Sequence, residues 1–282
     1  MTQPLNTSTI TSVNLASAYS SKDGIPTTRL SAVAVFDMLG FSAQVRKAHE
    51  DGRANELLER LKATLDSWYE VTRDDGGFLG RRFWELKAFT DNVVLGIPVQ
   101  QGAEEQALSH VLSAVASLQR GLLLEGGFFV RGGIAFGDLY VDDDIVYGTG
   151  LLDAYHMEAK IAIVPRIVLH QSAAILVPDH ARRYGDIDDS PQGQLLLQDE
   201  DDCLFINYLA EEPEYEWLPR HRDLILENLE TCRSDAKIFS KYLWVARYHN
   251  YICALVPDAA EYNVPLDHVA LRAKRLSEIV KR

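Results

Sequence analysis

The chain has 282 residues, 47% hydrophobic and 24% charged, the balance of a globular protein with a sizeable core. Its formal charge of −13 argues against a nucleic-acid backbone as partner, because a polyanion needs a positive field. An anionic ligand must therefore be held locally, by cations, a few basic side chains and backbone N–H groups. Cys203, Cys232 and Cys253 form no CxxC pair and read as reduced thiols. No apolar run approaches a membrane span, and the Ser/Thr-rich residues 1–29 lack the apolar segment of a signal peptide. The expectation is a cytoplasmic protein, with no membrane partner, that begins with a loose arm.

The first element is Ala32 to Phe36, a continuous apolar run of strand length that Asp37 ends. After Leu39-Gly40, the spacing of Leu57, Leu58, Leu61, Leu65 and Trp68 predicts a long helix, which Gly76-Gly77 closes. Phe83 to Thr90 and Val93 to Ile97 read as two strands joined at an Asp91-Asn92 corner. Leu108, Val111, Leu112, Val115, Leu118 and Leu122 mark one face of a second helix. Phe128 to Phe136 is the next strand, with a partner beginning at Tyr140 after a Gly137-Asp138 turn. Gly148 to Ile161 reads as a helix and Ile167 to Leu169 as a short strand, followed by an acidic loop around 185–202. Trp217 to Leu229, Ala236 to Val256 and Leu266 to Val280 read as helices. The order implies an α+β fold, an antiparallel-rich sheet covered by helices on one face. Three parts follow: an arm at 1–29, an α+β domain at 30–175 and a mainly helical extension at 176–282.

Asp37 stands where a buried strand meets a turn and a helix start. Such a residue is commonly a turn or N-cap aspartate. The turn at Gly40 and Phe41 also presents backbone N–H groups that can bind phosphate. Asp91 sits at the hairpin corner, where a structural Asp is equally ordinary. If the two strand ends are sheet neighbours, however, the carboxylates repel each other unless a cation lies between them, and Mg²⁺ favours one or two carboxylates plus substrate phosphates. Lys87 shares strand parity with Asp91 and lies about 13 Å away at strand rise, roughly the span from base to phosphates in a nucleotide. Pairing with Glu85 at the surface is the alternative for this lysine. The acidic tip Asp142-Asp143-Asp144 reads as solvated, and the histidines lack zinc-ligand spacing.

Phe36-Asp37-Met38-Leu39-Gly40-Phe41 resembles a segment of the class III adenylate and guanylate cyclases, and Lys87-Ala88-Phe89-Thr90-Asp91 is similar to their metal-binding hairpin. Arg131-Gly132-Gly133-Ile134 and Tyr147-Gly148 resemble the strand and turn that follow. The resemblance covers about residues 30 to 172. Within the superfamily, Phe89-Thr90-Asp91-Asn92, Ala154-Tyr155-His156-Met157-Glu158, Pro165-Arg166-Ile167 and Lys241-Tyr242-Leu243-Trp244 look most like the stand-alone pyrimidine cyclases of bacterial Pycsar anti-phage systems.

The resemblance implies a ferredoxin-like core and a homodimer with shared sites. Asp37, Asp91 and the Met38 carbonyl would hold two Mg²⁺ or Mn²⁺ ions, and the partner protomer would supply the stretch from Arg131 to Tyr155. Asp37, Asp91 and Arg131 are then the catalytic candidates; Lys87, Gly40, Phe41 and Tyr155 are the substrate-binding ones. The product would be a cyclic nucleotide read by a separate effector in anti-phage defence. Where ordinary class III cyclases carry an Asn and an Arg four residues apart, this chain has Leu152 and His156, and Ile145 stands at the adenine-selecting position. Those departures favour a pyrimidine over ATP, and the two carbonyls of uracil favour UTP over CTP. They leave open an adenylate or guanylate cyclase, or a cyclase-fold nucleotide-binding protein without turnover.

Overall fold

The computed structural model describes residues 19, 25–74, 85–89, 91–142, 144–210, 217–266 and 273–280, with the backbone alone for 68–74 and 85–89. In chain order the strands are β1 (Arg29–Met38), β2 (Glu85–Phe89), β3 (Asn92–Pro98), β4 (Val130–Val141), β5 (Val146–Tyr147), β6 (Ile167–Leu169), β7 (Leu196–Gln198), β8 (Leu204–Ile206) and β9 (Lys274–Arg275). The helices are α1 (Phe41–Glu50), α2 (Ala54–Asp74), α3 (Glu104–Leu124), α4 (Thr149–His156), α5 (Gln171–Ala174), α6 (Val177–Ala181), α7 (Pro191–Leu195), α8 (Leu218–Thr231), α9 (Ala236–Leu255) and α10 (Leu276–Ile279).

The strands form a mixed sheet in the order β2-β3-β1-β4-β6-β8-β7-β9, with β5 paired to β4 alone. β1 runs antiparallel to both β3 and β4, and β6 is parallel to β4. Alternation along β1 sorts its side chains between the two faces. Ala32, Ala34, Phe36 and Met38 join the main core with Leu108, Val111, Leu112 and Val115 of α3. Val33 and Val35 join a smaller cluster with Val94, Ala135 and Ala154. Both faces of β1 are thus covered, which explains why it reads as an unbroken apolar run. Asp37 falls in the Val33/Val35 row. α3 is long and apolar enough to cross a membrane by length and composition, but its apolar residues lie inside the core.

The α+β expectation holds, and α4 adds cover on the second face. Five local readings differ from the structure. The single long helix is two, α1 and α2, because Gly52 takes a left-handed conformation between them (φ 72°). β4 continues straight through Gly137-Asp138 to Val141, and the turn to β5 comes later. Gly137 serves a close approach instead: a Cβ there would stand 2.6 Å from the backbone nitrogen of Gly150 in α4. The acidic stretch 185–202 contains α7 and β7, built on Leu195, Leu196 and Leu197, all buried. Of the expected last helix, the described residues form one turn, α10, preceded by β9, while 267–272 lie outside the described residues. Tyr19, in the expected loose arm, is fully buried on the second face, its hydroxyl 3.1 Å from Ser31 Oγ. The sheet and main core also run across residue 175 without a break, since β7, β8 and β9 extend the same sheet.

Beyond the sheet, α8 and α9 pack together around a buried polar string. Tyr208, His221 and His249 follow one another at 3.1 and 2.9 Å, and His249 Nε2 reaches the Tyr262 carbonyl at 2.8 Å. Asp235 caps α9, its side chain accepting from the N–H groups of Lys237 and Ile238.

α4 can lie on β4 only because Gly133 has no side chain. A Cβ there would fall inside van der Waals contact with the Ala154 carbonyl and Met157 Cβ. Gly133→Ala should therefore destabilise the protein by about 1–3 kcal/mol, through displacement of α4. Thermal unfolding checks this; an unchanged midpoint would contradict the packing.

Candidate active site

Asp37 and Asp91 reach one another because the chain clasps two corners together. In the β1–β3 register Asp37 pairs with Asn92, so the corner carrying Asp91 lies beside the end of β1. The Met38 N–H donates to the Asp91 carbonyl at 3.0 Å, and the Leu39 N–H donates to the Phe129 carbonyl at 2.7 Å. β1 is thus pinned on both sides where it ends. Gly40 then turns the chain in the left-handed region (φ 71°), which favours glycine, and starts α1 with no side-chain cap. The first N–H groups of a helix have no intrahelical acceptor, so this end can receive an anion.

The two carboxyls lie within hydrogen-bonding reach of each other. Burial pushes the Asp37 carboxyl up to about 6; the Asp91 carboxyl adds to the rise and Arg131 works against it. Arg131 is the direct partner of Asp37 across β1 and β4. Its Nε donates to Asp37 Oδ2 at 3.1 Å, and its Nη2 lies 2.8 Å from Glu158 Oε1. Glu158 belongs to the π-helical turn Met157–Ile161 that continues α4, and it is only 4% exposed. Burial raises its carboxyl too, as does Asp91, while Arg131 and Lys241 lower it.

This corrects the expected division of the site. Arg131 does not reach the carboxylates from across an interface; the sheet register delivers it to Asp37 within one chain. Two further residues went unassigned in the sequence, Glu158 and Lys241. Both lie within quoted motif segments, but their convergence depends on the π-helical turn and on α9 packing back over the sheet.

The other candidates are placed as follows. Met38 is buried at the end of β1. Phe41 packs its ring 6.1 Å from that of Phe128, so its side chain belongs to the core and only its backbone opens α1. Lys87 pairs with Val94 in register, and its side chain lies outside the described residues. Tyr155 is 54% exposed, and among the described residues no contact ties it to the carboxylates. Ile145, Tyr147 and Leu152 are likewise exposed, and Tyr147 and Leu152 line a pocket of about 350 Å³ with Thr28, Asp138 and Gly148. Asp142 accepts from Tyr140 Oη and from the N–H groups of Asp144 and Ile145, which makes it a turn-forming residue.

A divalent cation fits this donor set. Two neighbouring carboxylates, one with its pKa raised chiefly by burial, are stabilised by a hard cation between them, and Mg²⁺ completes its shell with water and phosphate oxygens. Among the described residues no three His, Cys, Asp or Glu side chains form a fuller protein cage.

No family model and no curated protein matches the chain. Solved structures do resemble it, among them the following two. One, described as a class III adenylyl cyclase-like ATP-binding protein from Pseudomonas aeruginosa, is 14% identical with a TM-score of 0.40, over 55% of this chain and 35% of that one. The other, the guanylyl cyclase Cya2, is 12% identical with a TM-score of 0.38, over 67% of this chain and 96% of that one. The chain thus spans about a third of the first structure's length.

The raised pKa gives a test of the carboxylate pair. Asp37 ionises near 6 when folded and near 3.9 when unfolded, so its charge opposes folding above pH 6 and has no effect below about pH 4. In metal-free protein, Asp37→Asn should match or exceed wild-type stability at pH 7.5, with the gap closing as pH falls through 6 towards 4. Denaturant titrations across that range check it; a variant that is weaker at pH 7.5 and recovers in acid would show that the Asp37 carboxyl is not raised.

Proposed function

We propose that the protein is a metal-dependent nucleotide cyclase that converts a pyrimidine nucleoside triphosphate, UTP before CTP, to its 3′,5′-cyclic monophosphate and pyrophosphate. The observation that carries this reading is the clasp that sets Asp37 against Asp91 beside the uncapped start of α1. The segment resemblances around both aspartates and Arg131 support it. Mg²⁺ or Mn²⁺, two per site on Asp37, Asp91 and the Met38 carbonyl, would acidify the ribose hydroxyl and neutralise the leaving pyrophosphate. Arg131 fixes the orientation of Asp37, and the α1 N–H groups meet phosphate oxygens. The ribose 3′-oxygen attacks the α-phosphorus in line, its proton passes to solvent, and the bond to the β-phosphate oxygen breaks.

Lys87 would read the base. A lysine donates to a carbonyl oxygen, which uracil and cytosine have and adenine lacks. The exposed Ile145, Tyr147, Leu152 and Tyr155 suit a second copy of the chain, completing each site from across a two-fold axis. Leu152, in the place of a polar transition-state group, favours a second reading, a protein that binds nucleotide without turning it over. A role in anti-phage signalling, with a separate effector for the product, follows from the resemblance to the pyrimidine cyclases.

Mass spectrometry of purified protein incubated with an equimolar NTP mixture and Mn²⁺ separates these readings. Cyclic UMP should dominate, Asp37→Ala and Asp91→Ala should abolish it, and Lys87→Ala should flatten the preference. Chiefly cyclic AMP refutes the pyrimidine assignment, and no cyclic product refutes turnover.

The placement of Arg131 decides the complementation experiment. Asp91→Ala mixed with Tyr155→Ala should recover about a quarter of wild-type activity, since half of randomly mixed dimers carry one intact site of two. Asp91→Ala mixed with Arg131→Ala should recover none, because both lesions fall in the same half of the site. Recovery in the second mixture alone would reverse the division.

A further inference from the structure

We propose that Lys241, carried to the acidic cluster by α9, is a phosphate-binding residue of the site; this rests on the nucleotide-cyclase reading and extends it to the C-terminal segment. Tyr242 and Trp244, one and three residues after Lys241, anchor this part of α9 near the beginning of β4, where Asp37 and Arg131 meet. Tyr242 sets its ring edge-on to Phe129 at 5.2 Å, and Phe129 lies two residues before Arg131 and holds the Leu39 N–H. Trp244 Nε1 donates at 2.9 Å to Asp199, which also pairs with Arg166. The Arg166 carbonyl in turn accepts from the Gly132 N–H at 3.0 Å. Immediately before these two anchors on α9, Lys241 is half-buried and feels the charges of Arg131, Lys237, Asp37 and Glu158.

That environment does not favour a bare ammonium. Burial lowers its proton affinity first, Arg131 and Lys237 lower it further, and Asp37 and Glu158 offset only part. Among the described residues Lys241 makes no ion pair within 4 Å. Arg131 already faces the carboxylates of Asp37 and Glu158, which offset its charge towards a phosphate. With the carboxylates occupied by divalent cations, a ligand bringing several negative charges supplies what Lys241 lacks. A side chain serving only to balance Asp37 or Glu158 would sit in direct contact with one of them.

The experiment measures binding of inorganic pyrophosphate with Mg²⁺ by calorimetry, on full-length wild type, Lys241→Gln and Lys241→Arg, with unfolding temperatures taken in parallel. Lys241→Gln should weaken pyrophosphate about tenfold or more, Lys241→Arg should bind within a few-fold of wild type, and both should keep the wild-type unfolding temperature. In turnover, Lys241→Gln should raise KM for the nucleotide. The inference is overturned if Lys241→Gln binds within twofold of wild type, if wild type binds no pyrophosphate, or if both variants lose binding together with stability. A wild type that makes no cyclic product sinks the cyclase reading instead, and the pyrophosphate titration still decides Lys241.

Discussion

One guanidinium organises this end of the sheet. Arg131 bonds to Asp37 on the neighbouring strand and lies against Glu158 on the turn beyond α4, so three parts of the chain meet at a single side chain. Bringing Asp37, Asp91 and Glu158 together without it would leave buried carboxylates uncompensated, at a cost of several kcal/mol. Arg131 reduces that cost without removing it, because Asp37 and Glu158 both keep raised proton affinities. It also takes Oδ2 of Asp37, which leaves Oδ1 uncommitted to it. A cation bound at Asp37 and Asp91 would relieve the remaining repulsion.

Much of the frame was legible in the sequence because both faces of β1 are buried and α2 and α3 carry long, regular apolar stripes. Asp37 and Asp91 stood out as carboxylates interrupting apolar strand ends. The failures share a cause: a tertiary contact outvoted a local signal. Gly137-Asp138 has the composition of a turn, but the glycine is there so that α4 can approach the strand. Leu196 to Gln198 look too short and too acidic in context to be a strand, yet pairing with β8 makes them one. Arg131 was assigned to a partner protomer by family likeness, whereas the register of β1 on β4 sets it opposite Asp37. Glu158 and Lys241 come together only through a π-helical turn and a helix far along the chain, and no periodicity announces either.

The C-terminal helices owe their fixed position to a fully used polar string. One set of tautomers satisfies it: Tyr208 donates to His221 Nε2, His221 Nδ1 donates to His249 Nδ1, and His249 Nε2 donates to the Tyr262 carbonyl. Both imidazoles must then be neutral, and burial holds them below the usual histidine range, with the neighbouring His249 adding to the effect on His221. Tyr248 closes a second branch, donating to Asn207 Oδ1 at 2.6 Å and accepting from the Leu209 N–H. A buried network with each of these bonds in place favours one packing of α8 and α9 over its alternatives.

That rigidity bears on the site through Phe129. Its ring is flanked by Tyr242 of α9 and by His221 of α8, at 5.2 and 6.1 Å. Its carbonyl holds the N–H of Leu39, the residue before the glycine that opens α1. The two helices therefore grip the residue that positions the turn opening α1. Loosening that grip frees Leu39 and Gly40 to move relative to Asp37 without altering any carboxylate. A segment attached only to cover the sheet has no need of such a connection. Here the helices that complete the core also hold the geometry of the turn, so fold stability and site geometry depend on the same contacts.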